Sequence, residues 1–184
     1  MIGNTIAAML ATTPLANSYE SIATVTVGSG GSSSISFSSI PSTYTHLQIR
    51  GIGRTSGSSA DSAMTFNSDS SSGSYYANHQ IYGDGSSVAA ATSPASTRLD
   101  PFYVAGSGVN SNIFAGVVID ILDYQNTNKN KTLRSLQGWD ANGSGFVIFR
   151  SGLWIKTNAI TQIDWTVSGN WAQYSSFALY GIKG

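Results

Sequence analysis

Cysteine is absent from the 184 residues, which excludes disulfide scaffolds, thiolate metal sites and cysteine nucleophiles. Charge is scarce as well. Nine Lys and Arg balance nine Asp and Glu, making 10% of the chain where an ordinary soluble domain carries about a quarter. Nine dispersed cations at zero net charge are a poor footprint for nucleic acid, whose binding needs clustered cations to displace counterions. No apolar run reaches the ~18 residues that a membrane span requires, so neither a nucleic-acid partner nor membrane insertion is expected. The gap left by charge is filled by serine and threonine, in runs such as Ser32-Ser33-Ser34 and Ser70-Ser71-Ser72. A surface this weakly charged suits a subunit held in an assembly, or one released into salty surroundings.

The length fits one domain with a real core. Residues 1–18 form a separate stretch: the apolar patch Ile6-Ala7-Ala8-Met9-Leu10 is followed by Pro14, and no Lys or Arg precedes it as a signal peptide would require. A short helix or extended arm is expected there. From Tyr19 the period switches to two, and β-branched residues are dense. Gly28-Ser29-Gly30-Gly31 interrupts the alternation before Ile35 and Phe37 resume it, which predicts a hairpin. Residues 45–55 alternate again, with Leu47 and Ile49 on one face. Residues 75–111 hold aromatic islands, among them Ile81-Tyr82 and Phe102-Tyr103, and Asp84-Gly85 marks a tight turn. Residues 113–122 are apolar on both faces apart from Gly116 and Asp120, which predicts a central strand covered on both sides. Further strands follow at near-regular spacing, and Asn142-Gly143 predicts a hairpin turn between the first two. No sustained 3.6-residue period appears after residue 18. The expected fold is therefore all-β: a single antiparallel, jelly-roll-like β-sandwich over residues 19–184, with nine or ten strands.

Little of this composition supports catalysis. His46 and His79 are the only histidines, and no His/Asp/Glu spacing of a metal site occurs, so neither a metal nor any other cofactor is expected. Asp120 and Asp123 do not face one another as a glycosidase pair would. Gly28-Ser29-Gly30 and Gly143-Ser144-Gly145 sit in hairpin contexts rather than on a strand-to-helix elbow, and Gly51-Ile52-Gly53 lies inside a strand. Residues 69–73 lack the later acidic ligands of a calcium loop. No catalytic residue is assigned. The aromatics offer one alternative, because exposed rings with Asn and Asp beside them can hold sugars by stacking and hydrogen bonding. Trp171, in the turn-like context Ser168-Gly169-Asn170, is the expected exposed tryptophan, and Tyr82 and Tyr103 are the other candidate glycan contacts. Core or interface packing is the competing role for all of these rings.

Four stretches carry a resemblance. They are Tyr19-Glu20-Ser21-Ile22-Ala23-Thr24, FSSIPSTYTHLQIR at 37–50, IDILDYQNTNKNKTL at 119–133, and the terminal YSSFALYGIKG at 174–184. In these the chain resembles small virion structural proteins of tailed bacteriophages, of the marine and cyanophage type. The resemblance covers roughly residues 19–55 and 113–184 and transfers no catalytic residue. It implies a non-enzymatic subunit on the outer surface of a virion. At this size a capsid decoration or cement protein, or a short head fibre, is expected, with the chain itself (as a homotrimer) and the major capsid protein or other virion proteins as partners. Ile2, Ile6, Met9 and Leu10 of the arm are the expected capsid or subunit contacts. The alternative is a tail-fibre or appendage adhesin that binds host-surface glycan.

Overall fold

A computed structural model of the protein describes residues 18–58, 61–70 and 73–184. Ile2, Ile6, Met9 and Leu10 lie outside the described residues. The described chain is built from eleven strands: β1 (Tyr19–Thr26), β2 (Ser32–Phe37), β3 (His46–Gly53), β4 (Ser62–Phe66), β5 (Tyr76–Gly83), β6 (Val88–Ser96), β7 (Ala115–Leu122), β8 (Lys131–Asp140), β9 (Gly145–Trp154), β10 (Ile163–Trp171) and β11 (Ser176–Ile182). No helix occurs among the described residues. An eight-stranded antiparallel sheet, in the order β1-β11-β3-β7-β8-β9-β5-β6, packs against a three-stranded one, β2-β10-β4. The expected antiparallel sandwich is what forms. It is lopsided in how it divides its strands.

Local turn chemistry sets several of these connections. Asn142 and Gly143 both take positive φ, 55° and 120°, so that Asp140 pairs with Gly145 across a tight hairpin. Gly85 takes φ 92° in the β5–β6 hairpin, where Asp84 Oδ1 accepts the backbone N–H groups of Ser86 and Ser87. The glycine-rich connection after β1 behaves differently from expectation. The strands β1 and β2 do not pair with each other: β1 pairs with β11 and β2 with β10, so Gly28-Ser29-Gly30-Gly31 is a corner between sheets rather than a hairpin tip. The free edge at β6 is interrupted by Pro94 and by Ala95 at φ 53°, which discourages another strand from extending the ladder there.

The core fills the space between the sheets. Alternate residues of the large sheet, such as Leu47, Ile49, Val117, Ile119, Ile121 and Leu133, meet Ile35, Phe37, Met64, Phe66, Ile163 and Trp165 of the small one. At its centre Phe102, Trp165, Trp171 and Phe177 pack edge-on and tilted, with Phe102 stacked on Trp171, and ring centroids 4.7–6.4 Å apart. The glycines of Gly51-Ile52-Gly53 make room for this cluster. A Cβ on Gly51 would come within 2.3 Å of the Phe177 ring, and one on Gly53 within 2.8 Å of it. Large aromatic rings on β10 and β11 thus require bare backbone on β3.

Candidate functional site

Two features stand apart from this packing, one on each face of the large sheet. The first is its outer face, which no layer covers among the described residues. Register places Ile52, Gly116, Gly138, Val147, Gly83 and Val88 in one row across six strands. The adjacent row is Ala178, Arg50, Val118, Leu136, Phe149, Ile81 and Ala90. Six large apolar side chains in these rows are about half exposed or more: Ile52, Ile81, Val88, Leu136, Val147 and Phe149, with Val147 at 64% and Val88 at 75%. Strand β7 was expected to be covered on both sides, and this is a correction. Only Ala115, Val117, Ile119 and Ile121 are buried, while Val118 and Leu122 look outward. A third row closes the strip with polar groups. There Tyr19 donates to Gln48, Gln48 donates to Asp120 at 2.7 Å, and Arg134 reaches Asp120 at 3.1 Å.

The second feature is a cleft on the inner face, at the β9-β5-β6 end, beside the edge strand β4 of the small sheet. Its cavity of about 320 Å³ is lined by Asp61, Gln80, Tyr82, Asp100, Tyr103, Phe146, Ile148 and Arg150. Strand alternation aims Gln80 and Tyr82 of β5, and Ile148 and Arg150 of β9, into it. The irregular segment after β6 supplies the far wall, since Leu99 bridges Met64 and Tyr103 bridges Asp61. The backbone N–H of Tyr103 donates to Gln137, and its ring meets Phe146 edge-on at 5.2 Å.

Electrostatics in the cleft centre on a buried arginine. Arg150, 3% exposed, sets Nη1 2.9 Å from Asp100 Oδ2 and donates from Nη2 to Gln80. Burial pushes the Asp100 carboxyl up to about 6, against the attraction of Arg150 and with help from the nearby Asp61 charge. Tyr103 is raised by burial first, then by Asp61 and Asp100, and Arg150 is lowered by burial. Asp100 therefore binds its proton more tightly in the folded chain than in the unfolded one. Its contribution to stability is complete below pH ~4 and fades as pH rises through about 6. Asp100→Asn is expected to flatten the fall in melting temperature between pH 4 and 7, by an amount worth up to about 3 kcal/mol. Parallel melting profiles for variant and parent, measured by circular dichroism, would contradict this.

The structure brings Tyr82 and Tyr103 together, as lining of one cleft. It removes Trp171 from that role. The indole is 0% exposed and its Nε1 donates to the Trp165 carbonyl at 3.2 Å, so no sugar can stack on it. The turn-like residues before it are part of β10, whose pairing with β2 shifts register between Thr166 and Trp171 and returns the ring to the core. The carboxylates Asp61 and Asp100 escaped the sequence reading, because nothing in their spacing announces that they share a cleft. Asp120 and Asp123 are not paired with each other. The first is held by Gln48 and Arg134, the second by Lys129. Asp69, in the segment likened to a calcium loop, accepts the Trp154 indole N–H at 2.8 Å. Neither histidine joins a metal cluster; among the described residues no group of three His, Cys, Asp or Glu is placed to hold an ion. Compared with protein-family models, with curated proteins and with solved structures, the chain matches none.

Proposed function

We propose that the protein is a non-enzymatic structural subunit of the outer surface of a tailed-bacteriophage virion, a capsid decoration or cement protein or the head of a short fibre. The observation that carries this reading is the apolar outer face of the large sheet. Contiguous exposed apolar patches of this kind mark surfaces that other protein covers. The scarcity of charge and the resemblance of residues 19–55 and 113–184 to phage virion proteins support it independently.

The occupant of the face is a second copy of the chain, within a closed homotrimer. Eight strands of about eight residues present roughly 1,000 Å², enough for the ~800 Å² that each partner gives to a standard interface. Charge complements shape. The acidic turns of Asp84 and Asp140 lie beyond the first apolar row and Arg50 stands in the second, so a neighbour offset along the strands sets opposite charges together. The arm residues Ile2, Ile6, Met9 and Leu10 are the proposed contact to the major capsid protein.

Sedimentation equilibrium of the full chain is expected to give a trimer, and Leu136→Lys or Phe149→Lys a folded monomer, since either buries an unpaired charge in the interface. A parent chain that stays monomeric would remove the face from this role. Electron cryomicroscopy of the virion is expected to show three copies at capsid three-fold positions. Density only on the tail or an appendage would favour the second reading, a host-glycan adhesin, whose specific support is the cleft behind Tyr82 and Tyr103.

A further inference from the structure

The cleft contains more hydrogen-bonding capacity than the protein uses. Arg150 Nε, buried, has no partner, and its Nη1 meets Asp100 without the alignment of a hydrogen bond. Three more orphans lie one step away: Ser135 Oγ, directly across the ladder from Arg150; Gln137 Nε2, whose other amide atom holds Tyr103; and Ser62 Oγ, whose backbone N–H reaches Asp100. Buried polar groups are seldom left unpaired, and a cluster of them beside an open cavity points to something that completes them.

We propose that this cleft binds a saccharide, with hydroxyls on Asp61, Asp100 and Arg150 and a ring face against Tyr82 or Tyr103. The donor set decides the class of ligand. A carboxylate or phosphate would satisfy Arg150 but meet Asp61 and Asp100. A cation would meet Arg150 instead, and an apolar ligand would leave the orphan donors unpaired. A hydroxyl both donates and accepts, so a ring bearing several of them answers the carboxylates and the guanidinium together. The aromatic lining suits the C–H face of such a ring. Size agrees: 320 Å³ lies at the lower end of the range of ligand pockets, about 300–1,000 Å³. A neighbouring cavity of 220 Å³, lined by Asn78, Ser93 and Arg98, shares Asp61, Gln80 and Asp100 with it, which extends the site beyond one sugar ring. This deepens the host-glycan reading, on which it rests, and does not depend on the trimer built on the outer face.

Saturation-transfer difference NMR tests it on the full chain, with the methyl glycosides of glucose, galactose, mannose and N-acetylglucosamine and the disaccharides maltose and lactose as probes. Transfer to at least one probe is expected, reduced at least tenfold in Asp61→Ala and in Tyr82→Ala and unchanged in Ser33→Ala, an exposed position on β2. Asp61 is exposed, so its truncation leaves the fold intact, which near-ultraviolet circular dichroism checks. No transfer to any of the six probes, or transfer that survives both cleft variants, overturns the proposal and leaves the orphan donors to ordered water.

Discussion

Trp171→Ala is expected to lower the melting temperature by about 10 °C, corresponding to roughly 3–5 kcal/mol for loss of a buried tryptophan and about 2–4 °C per kcal/mol in a chain of this length. The indole is 0% exposed and touches three other rings, with centroids 5.4 Å from Trp165, 4.7 Å from Phe177 and 6.4 Å from Phe102. Truncation opens a cavity that these neighbours cannot collapse into without leaving their own places. Phe177 is pinned over Gly51 and Gly53, and Trp165 lies in the middle strand of the small sheet. The lost bond from Trp171 Nε1 to the Trp165 carbonyl leaves that acceptor without its indole donor. Thermal unfolding followed by circular dichroism measures the shift. A variant that melted within 2–3 °C of the parent would mean that the aromatic cluster is not the structural centre described above. The experiment also separates the two roles assigned to tryptophan, because a ligand-contacting ring can be removed with little loss of stability and a core ring cannot.

What could be read from the sequence was what depends on near neighbours. Period-two alternation located the strands, and Asn142-Gly143 and Asp84-Gly85 located their turns, because a left-handed backbone demands those residue types at those positions. The errors share a cause as well. Gly28-Ser29-Gly30-Gly31 signals a change of direction but not which sheet receives the next strand. The partner that decides it, β10, lies more than 120 residues along the chain. Trp171 follows Gly169-Asn170, a pair that reads as a turn until the β10 register is known. The apolar residues on both faces of β7 read as a strand covered on both sides, whereas among the described residues only one face is covered, because local sequence cannot say which layer lies over a strand. The cleft was legible only in part. Tyr82 and Tyr103 could be named as candidate residues, whereas Asp61, Gln80, Asp100 and Arg150 converge from separate segments through antiparallel registers that no local pattern encodes.

Lys131→Met is expected to cost about 3 kcal/mol, approaching the loss at the core tryptophan, from three hydrogen bonds at about 1 kcal/mol each, although the substitution keeps most of the side chain's length and apolar volume. Lysine is seldom fully buried, and here it is 1% exposed with no carboxylate bonded to it. Its ammonium instead donates three hydrogen bonds to backbone carbonyls, those of Asn126 at 2.5 Å, Lys129 at 2.9 Å and Thr157 at 2.9 Å. Three donors meet three acceptors, which is the full capacity of the group. Burial lowers the pKa of this amine, with the Lys129 charge adding to the effect. The bonds tie the turn between β7 and β8 to the segment between β9 and β10, which Tyr124 reinforces by accepting the Ile160 N–H at 2.9 Å through its carbonyl and donating to the Pro41 carbonyl. Methionine would keep most of the packing and leave the carbonyls of Asn126, Lys129 and Thr157 without their ammonium donor, so the penalty falls on polar groups rather than on packing. A fall of roughly 10 °C in melting temperature is expected. Lys131→Arg would not restore it, because the planar guanidinium cannot direct three bonds from one nitrogen as the ammonium does. If Lys131→Met melted with the parent chain, the carbonyls would have to be finding water, and the turn would be held by the tyrosine alone.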